Sequence, residues 1–199
     1  MDEMDVLSRE EGREHLAALE VLRHAKNVFI WLALVAVVLH VLSWIMLRQA
    51  SSPQAARDWE LTAEWMLAMA GFVARASVLV VTGVFVLALL VSLSAKLGGA
   101  AGLAKTCVWS LAALAMLVPW VRLSSEDVVN ISSAVYGVDE LSAHGPGAGG
   151  GADAFFSFVR FGICPILVAV CLGAAQYCFR SVYRRIAMPS ATRLPIREV

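Results

Sequence analysis

The chain has 199 residues, 59% hydrophobic and 16% charged, with a formal net charge of zero at pH 7 and a mean hydropathy of +0.73. Soluble domains carry about 25% charged residues, so this chain has too few to solvate an ordinary surface. It also lacks any concentrated basic stretch that would suit nucleic acid. The charges fall in short polar zones between long apolar runs, which excludes a soluble domain and leaves an integral membrane protein.

Residues 1–27 are polar and read as a cytoplasmic amphipathic helix. Ser8-Arg9-Glu10-Glu11 has the form of a capping box. Leu16, Leu19 and Leu22 then recur at helical spacing, an apolar stripe for the membrane surface or a partner helix. No cleavable signal peptide is visible ahead of the first apolar run, so that run is expected to be an uncleaved anchor. The run is Val28–Leu47, 20 residues without a charge, with Trp31 and Trp44 near its two ends and His40 in its middle. A helix needs about 20 apolar residues to cross a core of roughly 30 Å.

Pro53 could open a short outer helix, with Trp59, Leu61 and Trp65 beside Asp58, Glu60 and Glu64, lying at the interface. The second span is placed at about 70–95, uncharged from Ala76 to Ala95 and interrupted only by Arg75. Gly98, Gly99 and Gly102 predict a tight inner hairpin. The third span, about 103–121, is the shortest: Thr106–Val121 is uncharged, Lys105 can snorkel, and Trp109 and Trp120 lie toward the ends. Pro119 shapes its outer end.

The outer loop, 122–154, carries Glu126, Asp127, Asp139, Glu140 and His144 without metal-ligand spacing. It also holds a sequon at Asn130 and a flexible stretch at Gly145–Gly151. The fourth span, about 155–179, contains Arg160 and a kinking Pro165, with Tyr177 and Tyr183 bracketing its end. Residues 180–199 form a basic cytoplasmic tail.

The fold class that follows is an all-α integral membrane protein: four transmembrane helices in a bundle, with short amphipathic interfacial helices. A β-barrel would show alternating polarity, which is absent. With both termini inside, the inner zones hold Arg9, Arg13, Arg23, Lys26, Lys96, Lys105, Arg180, Arg184, Arg185, Arg193 and Arg197. The outer zones hold Arg48, Arg57, Arg75, Arg122 and Arg160. This bias predicts N- and C-termini on the cytoplasmic side of a plasma or inner membrane.

Cys164, Cys171 and Cys178 recur every seven residues, nearly two helical turns, and so share one face at depths about 10 Å apart. Such a spread cannot ligate one metal ion, and no C-x-x-C is present. A helix-packing seam is the better reading, assisted by Ala169 and Gly173. No metal site is predicted. A haem would need two axial ligands at one depth on facing helices. His40 and Met116 are the only pair that approaches this, and no cofactor is predicted. Phosphate-loop, H-E-x-x-H and G-x-S-x-G motifs are all absent.

Arg75 and Arg160 each lie about five residues inside the outer end of an apolar stretch, hence at matching depth, and no Asp or Glu occupies any of the four runs. Snorkelling to the interface is the plain reading. Contact with an anion, a lipid phosphate or a partner is the functional one. Two functions are expected from these features. The first is a non-catalytic accessory or anchoring subunit of a larger membrane complex, with the lipid bilayer and other membrane subunits as partners. The alternative is a small transporter, channel or lipid- or anion-binding protein acting alone or as a homo-oligomer.

Overall fold

The computed structural model describes residues 3–49, 53–96, 99–118, 134, 155 and 158–191. They form α1 (Glu3–Gln49), α2 (Pro53–Ser94), α3 (Ala100–Leu117), one turn of π-helix (Val159–Ile163) and α4 (Cys164–Ala191). No strand occurs among the described residues. Four stretches are long and apolar enough to cross a membrane: Ala17–Met46, Glu64–Ser94, Ala100–Leu117 and Val159–Ile186. The protein is therefore a helical, multi-pass membrane protein. Pro119, Trp120, Asn130, most of the loop 122–154, Gly98 and the tail beyond Ala191 lie outside the described residues.

Each helix packs on its sequence neighbour, and α4 returns to α1, so the four helices close an antiparallel ring with α1 opposite α3 and α2 opposite α4. One end of the bundle is where α1 enters and α4 leaves, here the terminal end. The other, at the α1–α2 turn, is the loop end. Toward the loop end the core is built on small side chains, Ala33 and Ala36 of α1 with Ala70 and Ala74 of α2, joined by Ala113, Leu117, Val168 and Leu172. Between helices in lipid there is little hydrophobic driving force, and small residues gain association by letting backbones approach. Toward the terminal end larger groups fill the core: Phe85, Leu103, Phe179 and Val182. Outward-facing Trp31, Val35, Phe72, Leu79, Val108 and Val170 are exposed, as a lipid-facing band requires.

Four buried hydroxyls bond within their own helices. Ser43 donates to the Leu39 carbonyl, Thr82 to Val78, Thr106 to Gly102 and Ser110 to Cys107, at 2.8–3.1 Å. This back-bonding removes the cost of an unmatched polar group in an apolar setting.

Several boundaries differ from the sequence reading. The amphipathic segment 1–27 and the outer segment from Pro53 are not separate short helices where described. They are the first halves of α1 and α2, each continuous with a span. Ser8 lies inside α1 rather than at its cap, since favourable propensity carries the helix back to Glu3. Pro53 does open α2, where a missing N–H costs nothing. The third helix stops at Leu117, earlier than residue 121, because Val118 precedes Pro119 and is pushed to extended geometry (φ −74°, ψ 131°). The fourth helix continues to Ala191, so the first part of the basic tail is helical.

Two glycines fix how α3 meets α4. Gly99 has φ 77° and caps α3. A Cβ there would lie 2.6 Å from Val182 Cγ1, and one at Gly102 would collide with Val182 Cγ2. The hairpin between α2 and α3 is thus tight for two reasons, a left-handed turn and a close helix approach.

Candidate functional site

The most unusual interior group is Lys26, which is 1% exposed and heads the fully buried side chains by volume. The sequence reading placed it among the inner cations at the edge of the first run. Here it turns inward between α1 and α4. Its ammonium donates to Asn27 Oδ1 at 2.9 Å and to Gln176 Oε1, and it lies 4.7 Å from the centroid of the Phe179 ring. Gln176 Nε2 in turn donates to Asn27 Oδ1 at 3.0 Å, closing a three-residue polar triangle. Phe179 is itself held between Phe85, at 5.5 Å, and Tyr183, at 6.3 Å.

All of these partners are neutral. A buried charge is ordinarily paired with an opposite charge, yet among the described residues the charges that act on Lys26 are two further cations, Arg180 and Arg23. Arg23 extends over the Tyr183 ring, 5.0 Å from its centroid. Sequence reasoning missed this cluster. The signal was Gln176, an amide in the fourth apolar run that needs a buried partner.

A second polar layer lies at the loop end. His40 is buried on α1, its Nδ1 2.8 Å from the Ala36 carbonyl, and Arg75 of α2 is close enough for its charge to act on the imidazole. One turn on, Trp44 packs on Phe158 with ring centroids 6.1 Å apart, and it also approaches Gly162. Arg160 sits in the π-helical turn between these groups, its guanidinium 5.3 Å from the Phe161 centroid. Both arginines are half-buried, with buried Nε atoms. Arg75 belongs to α2 and Arg160 to the π-helical turn, two elements that each pack on α1.

The π-helical turn has a local cause. Pro165 has no N–H and its ring would press on the preceding turn of an α-helix. The wider turn lets the Cys164 N–H bond to the Val159 carbonyl, five residues back. Such single π turns recur at functional sites. The kink expected at Pro165 thus takes the form of a bulge that carries Arg160.

The cysteine stripe divides by depth. Cys171 is buried in the loop-end core and Cys164 packs against that core half-buried. Cys178 is half-buried nearer the terminal end. Gly173, however, is exposed, and a Cβ added there would meet nothing within 4 Å. The Ala169–Gly173 pair therefore does not lie in a seam of this bundle, because Gly173 falls on the outward side of α4. Among the described residues no group of three His, Cys, Asp or Glu could hold a metal ion. His40 and Met116 sit on opposite helices, with Ala36, Ala113 and Leu117 occupying the core between their segments.

The Leu16–Leu19–Leu22 stripe was expected to face the membrane or a partner. Leu19 is instead 2% exposed and packs within the chain, with Leu103, Phe179 and Val182 in the same core and Leu22 against it. The overhanging α1 is long enough for its stripe to reach the ends of α3 and α4.

Comparison with protein-family models, with curated proteins and with solved structures returns no match.

Proposed function

We propose that this chain is a non-catalytic accessory or anchoring subunit of a larger membrane complex, with both termini on the cytoplasmic side of a plasma or inner membrane. One observation carries the reading: a self-packed, small-residue bundle bears two unbroken helices far longer than a membrane is thick. At 1.5 Å per residue, α1 with 47 residues and α2 with 42 are about 70 and 63 Å long, against a hydrocarbon core of roughly 30 Å. The overhangs leave from opposite ends of the bundle and act as struts. Since Leu19 is taken up internally, partner contact falls on the outward sides where these extensions join the spans, represented by Val21 on α1 and Trp65 on α2.

Purification in mild detergent tests this. Other membrane subunits should co-purify in fixed stoichiometry and be lost from a variant with Val21 and Trp65 changed to Glu. A fully active chain that stays compact and alone overturns it.

A second reading, a lipid- or anion-binding protein acting alone or as a homo-oligomer, is favoured by Arg75 and Arg160, two half-buried arginines of elements that both pack on α1, in a chain whose four apolar runs hold no Asp or Glu. Lys keeps the charge but loses the planar fork that grips phosphate or carboxylate. On this reading Arg75→Lys and Arg160→Lys each weaken anion or partner association without affecting membrane insertion. Wild-type association in both Lys and both Gln variants removes its support.

A further inference from the structure

We propose that the terminal end of the bundle holds a phosphate-bearing anion between α1 and α4, with Arg23 and Arg180 as the outer jaws and Lys26 as the buried floor. This inference is independent of the accessory-subunit reading. Arg23 and Lys26 are three residues apart on α1, and Gln176 and Arg180 are four apart on α4, so each pair shares a helix face. The two faces meet, because the Lys26 ammonium reaches Gln176 and Phe179, and Arg23 reaches over Tyr183.

Three cations so close repel one another, and the groups touching the buried one are an amide pair and an aromatic ring, which orient an ammonium without neutralising it. Glu20 is exposed one turn from Arg23 on the same helix. An anion set among the three cations would turn their repulsion into attraction. Arg23 and Arg180 are both exposed, so an anion reaches the jaws without disturbing the fold. Lys26 itself cannot snorkel away, because Phe179 and Gln176 hold its head inside.

The setting favours phosphate. Guanidinium groups bind it bidentately. Basic pockets between helices at a membrane face take phospholipid headgroups, at about 1 kcal/mol, or roughly fivefold in affinity, per Lys or Arg. Two sources share this chemistry: an anionic phospholipid in the adjacent leaflet and a soluble phosphate.

The test uses the full chain in a neutral, non-ionic detergent, followed by its thermal unfolding. Phosphatidylglycerol, glycerol phosphate and phosphatidylcholine are titrated separately. A saturable rise in Tm with phosphatidylglycerol alone identifies a lipid site, and an equal rise with glycerol phosphate identifies a soluble ligand. The double variant Arg23→Gln/Arg180→Gln, changed only at exposed positions, should bind about 25-fold more weakly, with a ligand-free Tm no lower than the parent's because two charges that repel Lys26 are gone. Lys26→Met should weaken binding about fivefold. No rise in Tm with either phosphate compound, or an undiminished rise in the double variant, overturns the proposal. A rise of equal size with phosphatidylcholine overturns it as well, since that headgroup carries no net charge.

Discussion

Lys26 shows how one side chain sets requirements on two helices. Its charge is removed from water and met by two amide oxygens and an aromatic face, so each neighbour becomes costly to lose. Gln176→Leu deletes one of the two acceptors of the ammonium and the donor to Asn27 in one step. Hydrogen bonds to charged groups contribute about 1.5–3 kcal/mol in soluble proteins, and polar contacts between membrane helices average less, about 0.6 with a maximum near 1.7. A loss of about 1–2 kcal/mol is expected in a denaturant titration. Lys26→Met/Gln176→Leu removes the buried charge together with its partner and should be more stable than Gln176→Leu alone. If the double variant is the less stable of the two, the triangle is not the reason for the loss.

The cysteines make lighter demands. Cys171 is buried, whereas Cys164 and Cys178 are half-buried, so changing all three to Ala should cost about 1 kcal/mol or less per site. The triple variant should remain folded by circular dichroism. Its collapse would indicate a role beyond filling space.

At the scale of the element, the α3–α4 contact rests on glycine at positions where a single methyl group is too large. Gly102→Ala places a Cβ against Val182 Cγ2, and overpacking of this kind costs about 1–3 kcal/mol. Val182→Ala added to Gly102→Ala should recover most of that loss, which a double-mutant cycle reads directly. Gly173→Ala is the control: open space surrounds it, so the change should be neutral or slightly stabilising through helix propensity. Destabilisation at Gly173 comparable to that at Gly102 would mean that another helix covers α4 in the native assembly.

These two glycines also show what a linear sequence conveys. A Gly-rich stretch between apolar runs announces the hairpin, because few other residues tolerate the left-handed turn at Gly99. Which of two small-residue positions faces a neighbour depends on the rotation of α4. Ala169 and Gly173 share a spacing with true packing motifs yet point partly outward. The π-helical turn adds a further shift in rotation ahead of Cys164, which no periodic pattern anticipates.

For the whole molecule, run length and absence of charge made the four spans legible, since hydrocarbon tolerates little else. The extents of α1 and α2 were not legible. A polar helix in water and a polar helix at an interface share the same composition, and tertiary contact through Leu19 shows that α1 is held to the bundle as far back as that residue. The inner polar cluster was hidden for a related reason. Lys26 at the edge of a run looks like any snorkelling cation until Gln176 is brought beside it from a helix 150 residues away.

The central claim is a four-helix membrane bundle with its two termini at the same end, and topology mapping tests it most directly. A reporter that is active only in the cytoplasm, fused after Val199, should be active, and the same reporter inserted within Gly147–Gly151 should be silent. A reporter active only outside should give the reverse at both positions. If both positions report the same side, one of α3 and α4 does not cross the membrane and the four-span bundle is contradicted.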